Sequence, residues 1–329
     1  MKVLRRGDQG DPAPAEPDPR PAGPPPATPA DRRRHRRSRA DIRYSPYAFV
    51  APFFVLFGVF GLFPMVYTAY ISMHDWELIG GNLGYVGFAN YAFLFTDPKF
   101  YNALLNTVGI FMLAVVPQLV LALAVADFLN RRMRFGGLFR VLVILPYVTS
   151  VAAIAIVFGQ LFGSEYGLIN YVLSWGGLDP VGWREGRLTS WAAISVMIDW
   201  RWVGYNALIY LAAMQAVPKD MYEAAAIDGA SRLRQFWQIT IPLLRPTVIF
   251  TVIMSTIGQM QLFTEPVLFG GNYQGGSQGQ YQTIAMLMFD EGFRYGDYGY
   301  GAAVAWVLFV IIVLFSLLNI LITSRIKSA

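Results

Sequence analysis

A chain of 329 residues with 55% apolar and only 14% charged side chains is too apolar for an ordinary soluble domain. It has no cysteine, and its two histidines, His35 and His74, stand in a basic tail and at a helix edge, which argues against disulfide, thiolate-metal and histidine-based catalytic chemistry. The net charge of +5 would suit a nucleic-acid binder, but the placement of the cations along the chain accounts for it better, and no nucleic-acid partner is expected.

Residues 1–44 form a compositional zone of their own. Nine prolines fall within the first 30 residues, with glycine, alanine and charges between them, so no core can form and a disordered tail is expected. The run Arg32-Arg33-Arg34-His35-Arg36-Arg37-Ser38-Arg39 follows. Beside a membrane segment it reads as a retention signal and a contact for anionic membrane lipid. A cleaved signal peptide is not expected, because the apolar run starts late and no small-residue cleavage site follows it.

Residues 45–329 hold six apolar runs near the roughly 20 residues that cross a bilayer. They lie near 47–72, 103–129, 138–162, 190–214, 247–270 and 302–324. The predicted fold class is all-α, a polytopic membrane protein of six transmembrane helices. Of the 26 lysines and arginines, only Lys99, Arg184, Arg187 and Arg294 fall in the loops near 73–102, 163–189 and 271–301. The remaining loops, the tail and the C-terminus carry nearly all the others, which places both termini and the 215–246 loop on the cytoplasmic side of a bacterial cell membrane.

Polar side chains at membrane depth are costly, so each is a candidate site. The fourth segment carries Asp199-Trp200-Arg201-Trp202, then Tyr205 and Asn206. Asp199 and Arg201 lie about 200° apart on a helix and cannot share a face, so at least one needs a partner elsewhere. A structural or gating role is expected for both, and for Glu265 in the next segment. The fifth segment carries Ser255 and Gln259 one turn apart on one face, then Gln261 and Glu265, with Glu265-Pro266 predicting a break. Amides, hydroxyls and carboxylates suit sugar hydroxyls, while Trp200, Trp202, Tyr205 and Phe263 offer rings on which a pyranose can stack. The alternative for each polar residue is packing glue between helices.

Between these segments, residues 218–246 form a polar loop predicted as two short helices. Pro218 suits a first turn, with Asp220 and Glu223 at its positive end. Ala224, Ala225 and Ala226 keep the helix slim, and Gly229 can end it. Ser231 can cap a second helix, which Pro242 is expected to stop. The order Glu223-Ala224-Ala225, Asp228-Gly229-Ala230, Phe236, Ile239 and Ile241-Pro242 resembles the EAA loop of importer permeases of the ATP-binding-cassette superfamily. Its one departure is Ile241, where leucine is usual. The resemblance runs from about Pro46 to Ile326 and is strongest to the maltose-type sugar permeases, with cellobiose-type permeases of actinobacteria the nearest overall likeness.

The resemblance implies the type I importer permease fold and no enzymatic activity of the chain itself. No G-x-x-x-x-G-K-[ST] sequence occurs, so no cofactor is expected here and ATP would be bound by a separate subunit. Glu223, Ala224, Ala225, Asp228, Gly229 and Ala230 would form the coupling helix that docks on a dimeric cytoplasmic ATPase. A second, homologous permease and an extracytoplasmic sugar-binding protein are the other implied partners. Tyr205, Ser255 and Gln259 fall on positions similar to those lining the maltose-type site, where the family has asparagine in place of Gln259; Gln261 and Trp202 join them as candidate substrate contacts. Asp75-Trp76 with Gly87-Phe88-Ala89-Asn90-Tyr91 resembles the first outer loop of that family. The glycine-rich stretch from Gly270 to Gly276 stands where the loop after its fifth core helix stands, to touch a binding protein or to serve as a flexible link.

Two other classes fit the residues less well than the importer. An ion-coupled secondary transporter would use Asp199 and Glu265 as coupling carboxylates, but it has no need of an EAA loop and no internal duplication is evident. A membrane enzyme needs an acidic or histidine cluster at the membrane surface, and none is apparent.

Overall fold

The computed structural model describes residues 45–131 and 133–326, so the expected disordered tail, 1–44, lies outside the described residues. The chain divides into two units, Met1–Pro64 and Met65–Ala329. In the first unit the described residues are the opening of helix α1 (Ser45–Ser72), whose large apolar side chains face outward, Phe49 at 85% exposure and Phe60 at 75%. A π turn over Gly58–Leu62, in which the Phe63 N–H reaches back to the Gly58 carbonyl, precedes Pro64 and absorbs its missing donor.

The second unit is helical apart from one hairpin, which sequence patterning did not anticipate. Strands β1 (His74–Glu77) and β2 (Gly81–Tyr85) pair antiparallel. The Asn90 amide pins the hairpin by donating to the Ser72 and His74 carbonyls at 2.9 and 3.0 Å. The helices that follow are α2 (Ala89–Leu94), α3 (Pro98–Asn130), α4 (Gly136–Val148), α5 (Val151–Leu161), α6 (Leu168–Trp175) and α7 (Arg187–Gln215). Then come α8 (Lys219–Ile227), α9 (Arg232–Met260), α10 (Thr264–Gly270), α11 (Ile284–Phe289) and α12 (Tyr298–Ile326).

Among the described residues four helices, α1, α3, α9 and α12, are long and apolar enough to cross a membrane, and the bent pair α4–α5 makes a fifth span if counted as one. Helix α7 has 29 residues, ample length at about 1.5 Å rise each, but Asp199 and Arg201 lower its apolarity. Helix α3 is the centre of the packing: its residues enter all three buried clusters, with Ile110 against α5 and α7, Phe111 against α12, and Ala122 against α7 and α9.

Three expectations need correction. The segment near 138–162 is two helices bent by 90°. The last turn of α4 is held, the Thr149 N–H and hydroxyl both donating to the Leu145 carbonyl at 3.2 and 2.9 Å, and the chain turns at Thr149 and Ser150, with ψ 144° and 130°. Second, Pro242 does not stop the second helix of the 218–246 loop. The helix runs on through α9, because a π turn over Phe236–Thr240 loosens the ladder where proline removes a hydrogen bond. Third, the glycine-rich stretch after α10 leads into a buried anchor rather than a flexible link. Gln280, Tyr281, Gln282 and Thr283 are buried. The amides of Asn102 and Asn106 each donate to the Gly279 carbonyl at 2.7 Å, and the Trp191 indole donates to the Gln280 carbonyl at 3.2 Å.

Candidate functional site: an intramembrane cavity and a projecting helix

Helix α7 turns one face toward the end of α9. At Gly204 the backbone of α4 crosses so close that an added Cβ would collide with the Val143 carbonyl, so only glycine permits this approach. The crossing carries Tyr147, at the end of α4, onto α7. There its ring stacks on Tyr205 at 4.6 Å and 23° and meets Trp202 edge-on at 5.2 Å.

Helix α9 ends at Met260, where the Gln261 amide donates to the Ile257 carbonyl at 3.1 Å and caps its own helix. Phe263, at φ −131° and ψ −56°, turns the chain, and α10 restarts at Thr264. The expected break thus falls just before Glu265-Pro266, and it aims Glu265 back at α7. Arg201 and Glu265 form an ion pair at 3.2 Å, both side chains largely buried. The Arg201 guanidinium also lies over the Tyr147 and Trp202 rings at 5.9 and 5.5 Å.

These elements enclose a cavity of about 520 Å³, within the range of small-molecule sites. Tyr205, Ser255, Gln259, Gln261 and Trp202, drawn from two helices, all line it, as do Arg201, Glu265 and Phe263. Asp199 does not line it; its Oδ1 is buried off the cavity with no partner among the described residues. Trp200, counted above among the rings for a sugar, points the other way: it is 46% exposed and packs on Phe158. Two positions along a helix is about 200°, so Trp200 and Trp202 cannot serve one site.

Gln118, Asn206 and Tyr147 also line the cavity. Gln118 on α3 accepts a hydrogen bond from Gln259, and both amides are buried. Gln118 stands alone in an apolar run, and the cost of an amide at membrane depth would have flagged it. Asn206 is buried with its Nδ2 unpartnered among the described residues, as are Gln259 Oε1 and Arg201 Nε. The cavity therefore sets aromatic rings beside neutral polar side chains, Asn206, Ser255, Gln259 and Gln261, in one lining.

At the other end of α9 stands α8. Pro218 is its N-cap residue and Asp220 lies in its first turn. It ends in a Schellman motif: Gly229 takes φ +78°, the Ala230 N–H reaches the Ala225 carbonyl at 2.9 Å and the Gly229 N–H the Ala226 carbonyl at 3.1 Å. Ser231 then caps α9, accepting from the Arg234 N–H. Glu223, Ala224, Asp228 and Gly229 are exposed and Ile227 is 87% exposed, so α8 projects as a slim knob. Tyr222 and Thr240, hydroxyl to hydroxyl at 3.0 Å, tie it to α9.

Residues 118–328 match the family model for the binding-protein-dependent transport system inner membrane component. The chain belongs to that family. The permease is 33% identical over 293 residues to the arabinooligosaccharides transport system permease protein AraP of Bacillus subtilis (strain 168), covering 87% of this chain and 92% of the relative. It is 36% identical over 277 residues to the lactose transport system permease protein LacF of Rhizobium radiobacter, covering 83% and 92%. It is 31% identical over 271 residues to the trehalose/maltose transport system permease protein MalF of Thermococcus litoralis, covering 82% and 90%. Among solved structures, a chain of a bacterial alginate ABC transporter in complex with an alginate pentasaccharide-bound periplasmic protein shares the permease's fold, with a TM-score of 0.75, 21% identity and coverage of 88% of this chain and 97% of that one.

Proposed function

We propose that this permease is one membrane subunit of an ATP-driven carbohydrate importer, and that it passes a di- or oligosaccharide, of cellobiose type, through the cavity between α7 and α9. The observation that carries the reading is the cavity itself: a lining that sets the Tyr147–Tyr205 pair beside the amide and hydroxyl side chains of Asn206, Ser255 and Gln259 suits a ligand with apolar ring faces and many hydroxyls. The relatives named for arabinooligosaccharides, lactose and trehalose/maltose support a sugar as cargo.

In this reading the exposed knob of α8 is the coupling helix, with Glu223, Ala224, Ala225, Asp228, Gly229 and Ala230 seated in a groove of a dimeric ATPase. The continuous helix α9 joins that knob to the cavity, so movement imposed on α8 is carried toward Ser255 and Gln259 along one helix. A second, homologous permease completes the translocation path, and an extracytoplasmic binding protein delivers the sugar. The concentration of cations near α8 and at both termini supports a cytoplasmic side for those parts.

The test is ATP hydrolysis by the reconstituted complex with binding proteins loaded with a panel of disaccharides. Stimulation by one loaded protein, lost in Glu223→Lys while the permease still inserts, is the expected result. Sugar uptake by this chain alone, driven by an ion gradient and indifferent to Glu223→Lys, would overturn the reading.

A further inference from the structure

Arg201 and Glu265 are the charged side chains of the cavity lining among the described residues, and they meet as an ion pair at 3.2 Å. Their formal charges cancel, so the lining carries no net charge. The other polar side chains of the lining, Gln118, Asn206, Ser255, Gln259 and Gln261 among them, are neutral.

In a site shielded from water, the net charge of the lining decides which ligand charge is tolerated. A carboxylate entering a neutral cavity loses its hydration and finds no spare counter-charge. An unpaired guanidinium would supply one, because its fork of donors matches a carboxylate two bonds at a time. Glu265 takes one N–H of that guanidinium, at Nη1, and balances its charge. Geometry makes this the break's consequence: the chain reversal at Phe263 is what delivers Glu265 to Arg201, across 64 residues of sequence.

We infer that Glu265 is a specificity-determining residue: by holding Arg201 in an ion pair, it makes the cavity select uncharged oligosaccharides against those bearing uronic acids. The inference rests on the cavity being the sugar site. A solved transporter of the same fold imports the acidic polysaccharide alginate, at 21% identity to this chain, so charge preference is a property of side chains and not of the fold.

The experiment uses the whole complex, with its second permease and ATPase, in lipid nanodiscs. Saturation-transfer NMR reads binding of cellobiose and lactose as neutral probes against digalacturonate as the acidic one. Wild type is expected to show the neutral disaccharides and little digalacturonate. Glu265→Gln is expected to shift the ratio toward digalacturonate by at least about tenfold, with neutral sugar still bound, and Arg201→Gln combined with Glu265→Gln to return it. Equal binding of both classes by wild type, or a ratio unmoved by Glu265→Gln, overturns the inference. Binding of no probe at all by wild type is a different result, which overturns the cavity's reading as a sugar site and the inference with it. If Glu265→Gln prevents assembly, Arg201→Gln carries the test: the lone carboxylate should shift preference toward a glucosamine disaccharide, and an unmoved preference again overturns the inference.

Discussion

Arg201 on α7 and Glu265 at the head of α10 meet at 3.2 Å, and each solves the problem the other creates. Either side chain alone would leave an uncompensated charge at membrane depth. Removing Arg201 or Glu265 singly is therefore expected to lower the melting temperature of the purified permease more than removing both. The coupling between the two, read from Arg201→Ala, Glu265→Ala and the double variant, is expected at roughly 0.5–3 kcal/mol. Additive losses would show that the two groups do not interact.

Tyr205 stacks on Tyr147 at 4.6 Å and lines the cavity. Tyr205→Phe keeps the ring and is expected to leave transport of the cargo sugar near wild type. Tyr205→Ala removes the face and should raise the half-saturating sugar concentration by roughly tenfold, the effect of about 1.4 kcal/mol. Uptake kinetics at fixed permease level make the comparison; equal behaviour of the two variants would assign Tyr205 to packing alone.

Gly229 holds φ +78° with open space where a Cβ would stand, so the cost of a side chain there is conformational rather than steric. Gly229→Ala is expected to destabilise the turn by roughly 1–2 kcal/mol and to loosen α8 against α9. The readout is co-purification with the ATPase, which should fall while the amount of permease in the membrane does not.

Asn106 donates to the Gly279 and Gln282 carbonyls at 2.7 and 3.0 Å and accepts from the Trp191 indole at 3.2 Å. Asn106→Leu would leave these buried groups unpaired, each at about 1–3 kcal/mol. Hydrogen exchange over residues 276–283 should speed up selectively, with α12 unchanged. Uniform protection in both proteins would mean that other bonds hold the segment.

The local features were legible because their causes are local. Asp220 in the first turn, the left-handed Gly229 and the Ser231 cap follow from the conformational preferences of single residues, and all three stand as read. Pro242 misled for the converse reason: whether a proline ends a helix depends on whether the preceding turn can widen, and Phe236–Thr240 does so. The bend after Val148 was hidden in the same way, since an apolar run does not record the backbone angles of the two residues that interrupt it.

The sequence by itself determined the class of molecule. Apolar runs of membrane-crossing length, a slim capped helix between them and the spacing of Glu223, Asp228 and Gly229 are properties of short stretches, and burial elsewhere cannot alter them. It also determined that Asp199 and Arg201 oppose each other, because helical periodicity alone separates them. Only the tertiary structure decided which of those faces meets the cavity. Trp202 enters it and Trp200 leaves it; Gln118 finds Gln259 and Arg201 finds Glu265 across 141 and 64 residues. Periodicity orients a side chain about its own axis, but the crossing at Gly204 and the breaks after Val148 and Met260 set how the axes lie against one another.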